Sequence, residues 1–259
     1  RQGDGAGVAA AQGDHPEAVP EEDGPVHRHG LGGDHLTWPI EIRRLSGYHV
    51  IAPDLPGHGN TRGPGRQSVS DYAATIMEFM DSIGIWRSIF VGHSMGGAIA
   101  LTIANQHPDR AMALALVSCG ARLPVPREIM DHAMNPTTYP TAVQDLQALM
   151  IGPDTHPRLV IQIEKRLKAL RPSLVLGDLL ACDTFDGTER LPTITSPVLV
   201  ISGVEDQLTP PRYSAYLAAR IPGAALQTVD GAGHLLPLET PRRLARLLDV
   251  FFKSIPASL

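Results

Sequence analysis

Short apolar runs alternate with helix-forming segments between residues 38 and 121. Three of these runs have strand length and β-prone composition: 48–52, 85–91 and 112–118. Two of the intervening segments are typical of helices: 70–83, which opens on the capping pair Ser70-Asp71, and 97–107, which ends before Pro108. Strands that alternate with helices predict a mostly parallel, twisted sheet with right-handed crossovers and helices on its faces.

The pattern changes after Arg122. Four helical segments with prolines between them follow, and we find no convincing strand among them: 126–134, 141–150, 157–170 and 173–181. The alternation resumes near Ser196, with apolar runs at 197–202 and 225–229 and an amphipathic last helix at 241–252. We therefore predict three parts: an α/β core from 26–121 and 191–259, an inserted helical cap (lid) from 122–190, and an atypical, poorly ordered segment at 1–25.

Composition narrows the class of protein. The chain has 259 residues, 43% of them apolar, which is enough for one large core. A net charge of −5 with no basic stripe argues against a nucleic-acid partner. No apolar run approaches the roughly 18 residues that span a bilayer. The two cysteines, Cys119 and Cys182, and the lack of a secretory pattern predict a cytoplasmic protein; whether the two cysteines pair is left open.

Candidate chemistry is concentrated at Gly92-His93-Ser94-Met95-Gly96. This Gly-x-Ser-x-Gly sequence stands between a predicted strand and a predicted helix, which is the setting of a nucleophile elbow. Glycine is needed on both sides because the turn is too tight for a side chain there. Alone the pentapeptide is weak evidence in a chain with 25 glycines.

A reactive serine needs a base and a carboxylate that orients the base. Asp206 follows the predicted strand at 197–202, and His234 follows the one at 225–229. Polar residues after parallel strands lie at the edge where open α/β sheets bind ligands. The order Ser94, Asp206, His234 is the order that this elbow requires, although Glu205 is a rival for the acid.

Together these motifs resemble the α/β-hydrolase superfamily over about residues 26–255. Its landmarks are present at His29-Gly30, at 52–59, at 92–97, at 203–210 and at Gly233-His234. The likeness is greatest to serine esterases and lactonases that carry a helical lid. It implies an α/β-hydrolase fold, with Ser94 as nucleophile, His234 as general base and then acid, and Asp206 as its orienting carboxylate. The family pattern Gly-x-x-Asp-x-x-x-Pro at 203–210 favours Asp206 over Glu205.

The resemblance also implies an oxyanion hole and a substrate pocket. The two backbone N–H donors would be Met95, directly after the nucleophile, and Leu31, in the loop after His29-Gly30. Residues expected near the substrate are His29, Gly30, Met130, Met134 and Met150, although simple helix packing would equally explain the methionines. One departure concerns the first strand, since His27 and Arg28 stand where family members are apolar.

The predicted reaction is hydrolysis of a carboxylic ester or lactone through an acyl-serine intermediate, with no cofactor and no metal. The expected partner is a small-molecule substrate, and the protein is expected to be a monomer or homodimer. Three alternatives remain open at this point: a cofactor-free perhydrolase, a C–C bond hydrolase, and a non-catalytic ligand-binding homologue. A metal site at His27, His29 and His35 is a further alternative.

Overall fold

A computed structural model describes residues 26–28 and 33–256. The atypical segment predicted at 1–25 lies outside the described residues. The same is true of His29, Gly30 and Leu31, so the predicted oxyanion loop is not described either.

Five parallel strands form a single sheet in the described part of the chain, in the order β1-β2-β3-β4-β5. Their bounds are β1 Val26–Arg28, β2 Ser88–His93, β3 Ala111–Val117, β4 Val198–Gly203 and β5 Ala225–Val229. The residues of β2 and β4 are all buried, which explains why these strands appear in the sequence as continuous apolar runs and not as alternating ones. β1 pairs with β2 despite the polar residues that stand at its position in the sequence.

Ten α-helices accompany the sheet in the described residues. Their bounds are α1 Ile40–Arg43, α2 Val69–Ser82, α3 Met95–Gln106, α4 Arg127–Met134, α5 Tyr139–Met150, α6 Pro157–Ala169, α7 Pro172–Asp183, α8 Pro211–Arg220, α9 Leu236–Glu239 and α10 Pro241–Ser254. One buried cluster joins α2, α3 and α8 to one face of the sheet, and a second joins α1 and α10 to the other. Neighbouring residues of β3 enter opposite clusters, Leu114 the first and Ala115 the second, as strand geometry requires. No helix among the described residues is long and apolar enough to cross a membrane.

Two sequence-based expectations ahead of the elbow strand differ from the structure, and that strand itself covers Ser88–His93 and not 85–91. Residues 48–52 were expected to form a strand, but only Ile51 takes part in an isolated β-bridge. The start of this segment packs against the last helix, since the Tyr48 ring lies 5.1 Å from the ring of Phe252. The second difference is at the start of α2, where the N-cap is Ser68, whose hydroxyl accepts from the Asp71 N–H at 3.1 Å, two residues before the expected cap.

Helices α4–α7 lie between β3 and β4 and surround a hydrophobic cluster of their own. The chain enters and leaves this helical segment at adjacent points. Arg122 and Asp186 form an antiparallel bridge, and the Gly187 N–H donates to the Ala121 carbonyl at 2.8 Å. The segment is therefore closed at its base.

A buried polar network fastens α7 to the rest of the molecule. The Asp178 carboxylate accepts from His58 Nε2 at 2.9 Å and from the Tyr72 hydroxyl at 2.6 Å, and the side chains of His58 and Asp178 have no solvent exposure. Burial, the largest effect, would lower the pKa of His58, but the hydrogen bond and charge of Asp178 outweigh it and raise this pKa above its usual value. Asp178 therefore joins α7, α2 and the turn that carries His58.

Candidate active site

Ser94 occupies a strained turn between β2 and α3. Its backbone has φ 54° and ψ −121°, a conformation that non-glycine residues rarely adopt. The Ser94 N–H donates to the carbonyl of Val117 at the end of β3, at 2.9 Å. A Cβ atom on Gly92 would lie 2.2 Å from the Gly96 carbonyl oxygen, so the first glycine of the motif cannot be replaced without moving the backbone. The sequence motif and the local geometry agree.

Met95 is the first residue of α3, directly after Ser94. An N–H group in the first turn of a helix has no acceptor within that helix, and it lies at the positive end of the helix dipole. Met95 has no solvent exposure, and its side chain packs in the core cluster with residues of α2 and α3, so the role of its N–H as an oxyanion donor stays a prediction. This N–H is therefore suited to binding an anionic oxygen next to Ser94.

Asp206 and His234 form a buried pair. The carboxylate oxygens of Asp206 lie 3.0 and 3.2 Å from His234 Nδ1, and the two side chains are almost completely shielded from solvent. Asp206 also accepts hydrogen bonds from the Thr209 N–H and hydroxyl, both at 2.8 Å. Burial, the largest effect, would raise the pKa of Asp206, but the charge and hydrogen bond of His234, together with Thr209, hold it below its usual value. Glu205, the rival acid, is exposed.

The sequence-based reasoning missed two residues that support this pair. Thr209 stands three positions after Asp206, and its hydroxyl lies 3.1 Å from His234 Nδ1. His93 stands in the elbow motif directly before Ser94, and the sequence gives it no contact with His234. Its Nε2 instead donates to the His234 carbonyl at 2.7 Å, and the two rings are 4.9 Å apart. Thr209 lies within a loop that the sequence motifs cover, whereas nothing in the sequence connects His93 to His234.

Ser94 and His234 line the same cavity, which has a volume of about 280 Å³. No hydrogen bond joins the Ser94 hydroxyl to the imidazole among the described residues; such contacts often tighten only when substrate binds. Most of the lining is apolar, and much of it comes from α5, α6, α7 and the turn between α6 and α7: Leu146, Met150, Ile163, Leu167, Ala169, Leu170 and Leu179. Among the Asp, Glu, Lys and Arg residues described, only Asp34 and Arg166 reach the cavity, and their charged atoms are 3.8 Å apart.

Only one of the three methionines predicted to contact substrate lines the cavity. Met150, at the end of α5, does so. Met130 packs against the hydrophobic cluster of α4–α7, and Met134 is 63% exposed on the last turn of α4. Those two predictions are corrected here: α4 directs one methionine into packing between helices and the other into solvent. His29, Gly30 and Leu31 lie outside the described residues.

Both cysteines are buried free thiols, which answers the question of a bridge between them. Burial raises the pKa of the Cys119 thiol to about 12. The pKa of the Cys182 thiol is raised mainly by burial and, to a smaller extent, by the negative charge of Asp178. Both therefore stay protonated, and Cys182 contributes a neutral group to the cavity wall.

The described residues contain no cluster of three or more His, Cys, Asp or Glu side chains suited to a metal. Within this part of the chain, His35 is hydrogen bonded to Asp54.

Comparison with known proteins identifies the family. A family model described as the alpha/beta hydrolase fold matches residues 28–241. RutD of Caulobacter segnis, which is named as a carbamate hydrolase, is 30% identical over 226 residues, covering 82% of this chain and 84% of RutD. A protein of Mycobacterium tuberculosis with no assigned function is 29% identical over 253 residues, covering 86% of this chain and 73% of that protein.

Solved structures with the same fold include enzymes that act on esters and lactones. A thermophilic esterase from Thermogutta terrifontis, solved with malate bound, superposes with a TM-score of 0.82 at 25% identity, covering 89% of each chain. Est816, described as an N-acyl homoserine lactone degrading enzyme, has a TM-score of 0.78 at 26% identity, covering 89% of this chain and 93% of its own. The chain described here belongs to the α/β-hydrolase fold family.

Proposed function

We propose that this protein is a serine hydrolase that cleaves carboxylic esters or lactones through an acyl-serine intermediate. The observation that carries the proposal is the buried Asp206–His234 pair, which opens onto the apolar cavity that Ser94 also lines. A buried carboxylate held on an imidazole is the arrangement that lets histidine act as a base towards a nearby hydroxyl.

The reaction would proceed in two halves. His234 Nε2 takes the proton of the Ser94 hydroxyl as its oxygen attacks the substrate carbonyl, while Asp206 holds the Nδ1–H and stabilises the imidazolium. The N–H groups of Met95 and, by resemblance, of Leu31 would bind the oxyanion. The imidazolium then gives its proton to the leaving alkoxide. Water, deprotonated by His234, attacks the acyl-serine, and the acid is released as the imidazolium returns its proton to the Ser94 oxygen.

The lining of the cavity supports an apolar acyl or alkyl group in the substrate. We interpret α4–α7 as a cap whose aliphatic side chains form most of the binding surface and exclude water from the acyl-serine. A second candidate is carbamate hydrolysis, which the identity to RutD favours. The ester proposal is preferred because a small polar carbamate would leave most of this aliphatic surface without a partner.

A panel of p-nitrophenyl esters of rising acyl length tests the proposal, with Ser94→Ala as the matched control. We expect hydrolysis of at least one ester by the wild-type protein, none by Ser94→Ala, and labelling of Ser94 by a fluorophosphonate probe. Labelling without hydrolysis of any ester would contradict the ester assignment and favour carbamate, C–C or perhydrolase chemistry. Absence of labelling in folded protein would favour a non-catalytic ligand-binding homologue. The cytoplasmic location and the monomeric or homodimeric state remain predictions.

A further inference from the structure

The loop that carries His234 is packed directly on the end of cap helix α5. The N–H groups of His234 and Leu235 both point to the carbonyl of Met150, at 3.1 and 3.3 Å. Two glycines allow this close approach: a Cβ on Gly233 would lie 2.4 Å from the Gly152 nitrogen, and a Cβ on Gly152 would lie 2.6 Å from the Gly233 nitrogen. The backbone of the histidine loop and the backbone of the cap are therefore in contact.

One carboxylate joins the two segments across this contact. Glu239, on α9, accepts from the Gly233 N–H with Oε2, at 2.5 Å. Its other oxygen, Oε1, accepts from the Gly152 N–H and from the Thr155 hydroxyl, each at 2.9 Å. Glu239 is half-buried. It accepts three hydrogen bonds, one from the loop of His234 and two from the turn that follows α5. Hydrogen bonds to a charged acceptor are stronger than neutral ones.

The position of the imidazole depends on this loop. Asp206 fixes the ring through Nδ1, and His93 and Met150 hold the backbone of His234, but none of these contacts involves Gly233 or the turn beyond Met150. Proton transfer needs His234 Nε2 within hydrogen-bond reach of the Ser94 hydroxyl. A displacement of about 1 Å caused by a change away from the reacting atoms can cost about a hundredfold in rate.

We propose that Glu239 is a positioning residue that makes the alignment of His234 depend on the seated position of the cap. When α5 and its following turn are in place, Glu239 holds the Gly233 N–H and the imidazole is aligned. When the cap moves away, the carboxylate loses its donors on the cap side and the histidine loop loses its contacts with the cap. Catalysis is thereby confined to the capped state, in which the acyl-serine is shielded from water. This inference rests on the proposed serine-hydrolase function.

The decisive variant is Glu239→Gln. Whichever way the amide turns, its NH2 group faces the backbone N–H of Gly152 or that of Gly233, so one of the two segments loses its acceptor with little change in volume. Thr155→Val removes one donor on the cap side and leaves the two backbone contacts. Asp154→Asn is the matched control, because it removes one negative charge from the same exposed turn, where no side-chain hydrogen bond of Asp154 is found among the described residues.

We expect Glu239→Gln to lower kcat and the second-order rate of fluorophosphonate labelling by about tenfold to a hundredfold, with KM nearly unchanged. Thr155→Val should lower both rates by about fivefold, the loss of one hydrogen bond, and should add little in the double variant because both changes act on the same connection. Asp154→Asn should behave as wild type.

The inference is overturned if Glu239→Gln or Thr155→Val loses thermal stability while the folded protein keeps wild-type kcat and labelling rate, since that is the result of a purely structural role. If Glu239→Gln does not fold, Thr155→Val decides the question on the same measurements. A wild-type protein that the probe does not label contradicts the proposed function itself, so the two failures are distinguishable.

Discussion

Replacing Asp178 with alanine tests whether its buried network anchors α7. The carboxylate accepts hydrogen bonds from His58 and from Tyr72, and no solvent reaches it. Asp178→Ala removes the acceptor of both of these hydrogen bonds and leaves a small void in its place. Removing the acceptor of a buried hydrogen bond costs the desolvation of the donor that remains.

The magnitude follows from the type of contact. Each hydrogen bond to the charged carboxylate is worth about 1.5–3 kcal/mol, and removing one partner of a buried pair costs about 3–5 kcal/mol. We therefore expect Asp178→Ala to lower the free energy of unfolding by about 4 kcal/mol at neutral pH. Asp186→Ala is the matched control, since its ion pair with Arg122 is exposed and screened by solvent, and it should change stability far less.

Urea unfolding followed by far-UV circular dichroism measures both variants. The stability that His58 contributes depends on pH in a definite direction. The pKa of His58 is raised in the folded protein, so this contribution to the free energy of unfolding is complete below the unfolded-state pKa of 6.5 and is lost as the pH rises through the folded-state pKa. The loss in free energy of unfolding caused by Asp178→Ala should therefore be smaller at alkaline pH. A cost below about 1 kcal/mol, or one equal to that of Asp186→Ala, would refute the idea that this network fastens the cap.

Three further outcomes are expected. Asp206→Asn should reduce kcat in ester hydrolysis assays by about 10⁴, because the His234 tautomer is no longer held correctly. The pKa of Asp206 is lowered in the folded protein, so the stability that its carboxylate contributes should be lost as the pH falls through this folded-state pKa. The unfolding curves of the wild-type protein and the variant should therefore converge in acid. Gly97→Ala should lower the melting temperature, since its Cβ would lie 2.6 Å from the Cys119 sulfur and 2.7 Å from the Cys119 Cβ, and Cys119→Gly, which removes both atoms, should restore part of the loss; a Gly97→Ala protein that melts at the wild-type temperature would contradict this contact. Leu146→Trp should abolish hydrolysis of long p-nitrophenyl esters and spare the acetate, because Leu146 lines the cavity; an unchanged chain-length profile would mean that acyl groups bind elsewhere.

Local sequence patterns were enough to predict most of the fold and the central part of the candidate site. The strand at 225–229 has the predicted bounds because apolar and β-prone residues stand between turn residues there. The elbow at Ser94 could be predicted because its geometry depends on neighbouring glycines in the same five residues. Asp206 was favoured over Glu205 by the family pattern at 203–210, and burial agrees with that preference, since Asp206 is buried and Glu205 is exposed.

Contacts between distant segments could not be predicted in this way. Nothing around Glu239 indicates that Gly152, 87 positions away, donates to it. Asp178 has the sequence of an ordinary helical residue, and its partner His58 is 120 positions distant. Met134 failed as a pocket residue for the same reason, since the direction in which a helix presents a side chain depends on how the neighbouring helices pack around it.

The antiparallel bridge between Arg122 and Asp186 has a consequence for how this scaffold can vary. The inserted helices begin and end at one point beside the sheet. The length of the insertion can therefore change without altering the position of the strands. The entropy cost of a longer detour grows only with the logarithm of its length. A different set of helices could thus be grafted at this junction to give a new substrate preference, while the hydroxyl, imidazole and carboxylate below remained where they are.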